Sequence, residues 1–223
     1  MGLKYRIGYV DENEEQVKLY RRKLKEYDFE VIGYKFEIGM SPESLMEQIL
    51  KSDIDLLMID FKLNESNIVS FNGEVIENFI YDKKPLFPHI IFTNKVDQAE
   101  PFVEDWKIIF DKDDIFSDDE DDKIGVDRFV TMLKKSIEQY KNHIIAKKRI
   151  LSDLFEKSKT EELSAVEKNN ILAVQEELNI LDKTNPSEVP KQLLVNESIE
   201  SINNLRIEAE DFLQSLIEKR KNK

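Results

Sequence analysis

Five side chains capable of polar chemistry stand just beyond short apolar runs in the first half of the chain. Asp11 and Glu12 follow YRIGYV, Asp60 follows DLLMI, Thr93 follows HIIF, and Lys112 comes two residues after KIIF. Asp11, Glu12 and Asp60 offer hard oxygen donors, the kind Mg2+ accepts while keeping several of its waters. Asp60 is also a competent nucleophile toward a phosphoryl group, giving an aspartyl phosphate. Lys112 and any bound metal would neutralise charge on the transferred oxygens, and Thr93 would donate a hydrogen bond to them. Carboxylates crowded together without a cation repel one another and raise their own pKa values. Such a set therefore calls for a divalent ion or for the lysine. Each residue also has a plainer reading. Asp11 and Glu12 can cap a helix, and Asp60 can open a loop.

These residues can act together only if the elements before them lie side by side. Tyr5–Val10, Phe29–Tyr34, Asp55–Ile59, His89–Phe92 and Lys107–Phe110 are short runs rich in Ile, Val and aromatics, as buried strands require. Between them, Glu14–Tyr27 repeats apolar residues three or four apart, which is helical spacing. Ser41–Lys51 opens with Ser41, Pro42 and Glu43, an N-cap, a first-turn proline and an acidic first turn. Gly73–Tyr81 and Gln98–Trp106 are shorter helix candidates. Alternating strands and helices with short connections imply parallel strands and right-handed crossovers. The expected fold is α/β, a doubly wound sheet of about five strands. Ligands in such sheets bind outside the carboxyl ends of the strands, where all five residues fall.

The second half differs in kind. Between Ile124 and Asp182 there is no proline and one glycine, and Phe129, Val130, Leu133, Ile137, Tyr140 and Ile144 keep helical spacing. A soft break is expected at Ser158–Thr160, with Thr160 capping a further helix. NPSEVP at 185–190 is a turn, because each proline disfavours helix at the residue before it. A last helix is expected from about Lys191 to Lys219. Residues 141–223 thus read as a helical hairpin or coiled coil, following an α/β domain over residues 1–140.

Composition narrows the function classes. The chain of 223 residues carries 33 Lys and Arg against 46 Asp and Glu, a net charge of −13. The excess lies wholly in residues 1–123, with 29 acidic against 16 basic side chains, whereas the remainder holds 17 of each. An acidic chain is not built to coat nucleic acid, where affinity is largely cation-driven. The absence of Cys excludes disulfides, thiol nucleophiles and zinc–cysteine sites. No apolar run approaches the roughly 20 residues of a membrane span, and the N-terminal stretch is too short for a signal peptide. A cytoplasmic protein is expected. His89 and His143 read as structural or solvated, Lys147–Arg149 as a solvated helix face, and Asp118–Asp122 as a solvated loop without EF-hand spacing.

The segments RIGYVDEN, DLLMIDFKL, HIIFTN and KIIFDKDD together resemble the receiver domain of two-component response regulators. The resemblance covers about residues 4–140 and implies a flavodoxin-like sheet. It also implies an acidic pair at Asp11 and Glu12, a phospho-acceptor at Asp60, a switch hydroxyl at Thr93 and a partner lysine at Lys112. It further implies Mg2+ at Asp11, Glu12 and Asp60, and a histidine kinase or phosphotransfer protein as phosphoryl source. Such a domain is no enzyme beyond its own phosphorylation and dephosphorylation. The chain departs from the family pattern in the long, proline-free segment Phe61–Asn72 and in Asp113, which stands where proline usually follows the lysine. The expected function is a phosphorylation-controlled signalling protein whose helical half relays the switch, with a homodimer formed through that half. The alternative is a pseudo-receiver scaffold that is not phosphorylated and acts through its helices.

Overall fold

The computed structural model describes residues 5–116 and 123–181. Five strands, β1 (Tyr5–Val10), β2 (Phe29–Gly33), β3 (Leu56–Ile59), β4 (His89–Thr93) and β5 (Ile109–Asp111), form one sheet in the order β2-β1-β3-β4-β5. Every pairing is parallel. This is the doubly wound order of the flavodoxin-like fold, with its switch point between β1 and β3.

The helices between the strands are α1 (Glu14–Lys25), α2 (Pro42–Lys51), α3 (Gly73–Lys83), α4 (Val96–Ala99) and α5 (Lys112–Ile115). They are followed by α6 (Lys123–Ser158) and α7 (Ala165–Leu181). Ser41 caps α2 through the Ser44 amide, with Pro42 in the first turn, as its sequence implies. The expected helix over Gln98–Trp106 is not formed. Only the four residues of α4 are helical, and a single 3-10 turn follows at Trp106–Ile108. Pro101 has no amide to continue the ladder, and the chain turns as Phe102 and Val103 donate back to the Ala99 carbonyl.

Strand pleating sorts the core into two layers, because successive side chains face opposite ways. Ile7, Tyr9, Leu56, Met58, Ile90 and Phe92 pack with Val17, Tyr20 and Leu24 of α1 and with Phe129, Val130, Leu133 and Ile137 of α6. Val10, Leu57, Ile59 and Ile91 face the other way, onto Leu45, Met46 and Ile49 of α2 and Ile76 and Ile80 of α3. The long segment after β3 belongs to this second layer, for Phe61, Leu63, Val69 and Phe71 are all buried in it. Its length is thus explained by packing, and the Gly39 amide ties it to the chain before α2 through the Ile68 carbonyl.

The chain divides into two compact units, one ending at Ala146 and the next beginning at Lys147. In the second unit the last turns of α6 and the helix α7 run antiparallel. Lys157 pairs with Glu167 at 2.7 Å and Lys147 with Glu177 at 2.6 Å, so the partners move apart in opposite directions along the two helices. Ile171, Val174, Leu178 and Leu181 form the buried stripe of α7. The cap of α7 is Ser164, not the expected Thr160. Ser164 Oγ accepts from the Glu167 amide while Glu167 Oε2 accepts from the Ser164 amide, a capping box. Thr160 instead donates back to the Lys157 carbonyl of the preceding helix. The expected turn at 185–190, the last helix and the acidic run 118–122 lie outside the described residues. Among the described residues no helix is long and apolar enough to cross a membrane.

Candidate phospho-acceptor site

Register brings the site together. β1 and β3 pair with Val10 opposite Ile59, and the Asp60 amide donates to the Val10 carbonyl at 2.8 Å, so Asp11 and Asp60 leave adjacent strands side by side. β4 and β5 pair with Thr93 opposite Asp111, which places Lys112 one residue beyond. Strand parity then selects who meets. Asp11 follows Ile7 and Tyr9, Asp60 follows Leu56 and Met58, and Lys112 follows Phe110, all directed to the α1–α6 layer. Thr93 shares the parity of Ile91, which faces the α2–α3 layer.

Lys112 is the hub. Its Nζ donates to Asp60 Oδ1 at 2.8 Å and to Asp11 Oδ2 at 3.0 Å, and all three side chains are buried. The ammonium lies over the rings of Tyr9 and Phe92, at 5.5 and 5.8 Å. Burial alone would pull the Lys112 pKa down, but the charges of Asp60 and Asp11 outweigh it and hold the pKa above its ordinary value. Asp60 is pushed up by burial, an effect that the Lys112 ammonium offsets only in part. Asp60 Oδ2 accepts from the Lys62 amide at 3.0 Å. Asp11 Oδ1 accepts from the Asn13 amide, and Asp11 Oδ2 also accepts from the Tyr9 hydroxyl at 2.6 Å.

Asp11 and Glu12 are not the cap of α1. Asn13 fills that role, accepting from the Glu15 amide. Glu12 stands apart from the lysine, and its buried Oε2 has no hydrogen-bond partner. Burial, helped by the charges of Asp11 and Asp60, raises its pKa to about 7. Thr93 is buried, and its Oγ1 accepts from the Lys95 amide at 3.2 Å. Around these groups lies a cleft of about 230 Å³, bounded also by Gln16, Lys62, Glu65, Asn94 and Lys95. It is smaller than the roughly 300–1,000 Å³ of pockets that enclose drug-sized ligands, so it has room only for a small polar group.

The donor set suits Mg2+. It consists of carboxylate oxygens, and the unpartnered Glu12 Oε2 is the kind of buried acceptor a cation would satisfy. Among the described residues no three acidic or histidine side chains converge closely enough by themselves to hold an ion. Asp11 and Asp60 are drawn instead to the ammonium between them.

Three features of the site escape motif reading. Gly73 opens α3 against Asp60, donating its amide to the Phe61 carbonyl, and a Cβ there would meet the Asp60 carbonyl oxygen at 2.3 Å. Asn94 Nδ2 donates to both Asp113 oxygens at 3.0 Å, tying the chain after β4 to α5. Tyr9 was legible only as core. Its one signal is its position two residues before Asp11, on the same strand face. Among the remaining charged candidates, His89 lies at the opposite end of β4, its Nδ1 against the Phe87 carbonyl at 2.8 Å and its Nε2 3.5 Å from buried Glu77. Lys147 is engaged with Glu177.

No protein-family model and no curated protein matches the sequence. Several solved structures do resemble the chain. The response regulator TrrA of Thermotoga maritima, in complex with Mg2+ and BeF, is 17% identical, with 56% of this chain and 97% of that one covered at a TM-score of 0.42. The receiver domain of the Francisella response regulator 1452 is 12% identical over 60% of this chain and 98% of that one, TM-score 0.42. The non-phosphorylated HemR receiver domain of Leptospira biflexa is 16% identical over 60% and 94%, TM-score 0.40. These three neighbours are response-regulator proteins or receiver domains, and each covers 56–60% of this chain.

Proposed function

We propose that the chain is a response-regulator-like signalling protein, with a receiver-like domain up to about residue 140 and a helical module beyond it. The observation that carries this reading is the buried Lys112 ammonium held between Asp60 and Asp11 at the carboxyl edge of the sheet, beside an open polar cleft. Asp60 is the nucleophile. One of its oxygens bonds to phosphorus while the bond from phosphorus to the donor's oxygen or imidazole nitrogen breaks, and the leaving group departs with that electron pair. Lys112 pairs with the acceptor carboxylate and neutralises charge on the transferred oxygens, to which Thr93 offers its hydroxyl. Asp11, Glu12 and Asp60 would hold Mg2+, which supplies further neutralisation of those oxygens. The phosphoryl source is a histidine kinase or phosphotransfer protein. The added charge beside Thr93 and Lys112 biases a two-state equilibrium, which the helical module converts into homodimerisation or partner docking.

The deciding experiment is labelling of the full chain with radioactive acetyl phosphate or phosphoramidate, with and without Mg2+. The wild type should take up a Mg2+-dependent label that Asp60→Asn loses, and an unlabelled wild type sinks the reading. Beryllofluoride should then change the solution mass. A second reading is favoured by the Lys112 ion pairs, which already engage both Asp11 and Asp60. In that case the trio is a structural pin and the protein is a scaffold acting through its helices. Unchanged partner binding and cellular function in Asp60→Asn and Asp11→Asn would select it.

A further inference from the structure

The acidic cleft rests on a group that the proposed chemistry does not use. Tyr9 is fully buried, and its hydroxyl donates to Asp11 Oδ2 at 2.6 Å. Residues two apart on a strand share a face, so β1 directs ring and carboxylate the same way. At this length an O–H to carboxylate bond is of the strong, charge-assisted kind. The same Asp11 oxygen also takes the Lys112 ammonium at 3.0 Å, and Asp11 Oδ1 takes the Asn13 amide at 2.9 Å.

The tyrosine ring cannot follow its acceptor. It meets Tyr20 edge-on with centroids 5.8 Å apart and Phe92 at 6.2 Å, and the Lys112 ammonium lies over it. Phe92 in turn stacks on Phe129 of α6 at 5.7 Å, so the ring belongs to the rigid aromatic layer of the core. Packing at this position needs only a ring. The hydroxyl adds a polar group in a place with no solvent, and Asp11 satisfies it.

We propose that Tyr9 is a positioning residue: its hydroxyl fixes Asp11, and through the shared Oδ2 it fixes the Lys112 ammonium, in the arrangement from which the cleft accepts a divalent cation. The cation-binding part of this inference rests on the phospho-acceptor reading. The part concerning Lys112 does not.

Tyr9→Phe removes one oxygen and keeps the ring, and two measurements on the full chain separate the possibilities. The first needs no metal. In protein labelled with 15N-lysine, the Lys112 ammonium resonance, assigned with Lys112→Arg, should be protected in the wild type. In Tyr9→Phe its protons should exchange with water about tenfold faster or more. Unchanged shift and exchange overturn the positioning role whatever the metal does. The second is calorimetric titration with Mg2+, for which loss of a group orienting a ligand typically costs 10–100-fold in affinity. Equal Mg2+ affinity in wild type and Tyr9→Phe overturns the inference and leaves the phospho-acceptor reading standing. A wild type that takes no Mg2+ removes the phospho-acceptor reading, and the ammonium resonance then decides on Tyr9 alone. A purely structural role would lower the melting temperature while leaving both readouts unmoved.

Discussion

Replacing Lys112 with methionine isolates the electrostatic work of one buried ammonium. Methionine keeps most of the stem that packs over Tyr9 and Phe92, so little cavity is created and the loss is mainly of charge. The side chains of Asp11 and Asp60 are only 3% and 11% exposed, so without Lys112 two carboxylates face each other in a nearly dry site. Removing one partner from a buried ion pair costs about 3–5 kcal/mol, because the other charge is left uncompensated. For a domain of this size that corresponds to a fall in melting temperature of about 10–15 °C. Urea denaturation followed by far-UV circular dichroism suits the measurement better than tryptophan fluorescence, because Trp106 is 67% exposed and reports poorly on burial. Two further outcomes belong to the same reasoning. The stranded carboxylates bind protons more tightly in the folded state than in the unfolded chain, so stability falls with rising pH across that window. The deficit of Lys112→Met is therefore larger at pH 8 than at pH 5. Adding Asp60→Asn to Lys112→Met removes one stranded charge and restores part of the loss. A deficit below about 1 kcal/mol, or one equal at pH 5 and pH 8, would refute the argument.

Gly73→Ala should disturb Asp60 directly, because the new methyl meets its backbone oxygen at 2.3 Å. Overpacking of this kind costs about 1–3 kcal/mol, and a displaced Asp60 should slow acetyl phosphate labelling about tenfold to a hundredfold at temperatures where both proteins are folded. Glu12→Gln should raise the melting temperature at pH 8 and leave it nearly unchanged below pH 4.5. The folded carboxyl has its pKa raised to about 7 by burial and by Asp11 and Asp60, so its contribution to stability is present at low pH and lost as pH rises through that value. Glu167 behaves oppositely. Hydrogen bonds from Lys157 and Ser164 hold its pKa down at about 2, so it stabilises the helical unit above the ordinary carboxylate range and ceases to as pH falls toward 2. Glu167→Gln should lower the thermal midpoint of that unit at pH 7 but not at pH 2. Leu86 is exposed in the left-handed backbone region at φ 68°, which costs a non-glycine residue about 1–2 kcal/mol. Leu86→Gly should therefore be neutral or stabilising by about 0.5 kcal/mol once glycine's extra unfolded-state freedom is counted, as chemical denaturation would reveal.

Much of the α/β unit was legible because its signals are local. Short apolar runs marked all five strands, and Ser41 with Pro42 marked the start of α2, since pleating and capping depend on neighbours a few residues away. Local signals failed where two readings competed. Gln98–Trp106 has helical spacing, but Pro101 breaks the ladder after one turn. Thr160 and Ser164 are both acceptable caps, and only Ser164 has a glutamate three residues on to close the box.

The same division runs through the candidate site. The sequence alone determined which residues stand at strand ends, and so that Asp11, Glu12, Asp60, Thr93 and Lys112 gather at one edge of the sheet. The tertiary structure decided how they are paired. Register and parity join Lys112 to Asp11 and Asp60, give the Thr93 hydroxyl the Lys95 amide as partner and leave Glu12 without a hydrogen bond at Oε2. It also brought Tyr9 beneath Asp11 and Gly73 against Asp60, contacts that decide whether the edge is rigid. The physical reason is one of range. A residue's type and its place on a strand are fixed within a few peptide units, whereas a hydrogen bond is fixed to a few tenths of an ångström by every strand and helix between its partners.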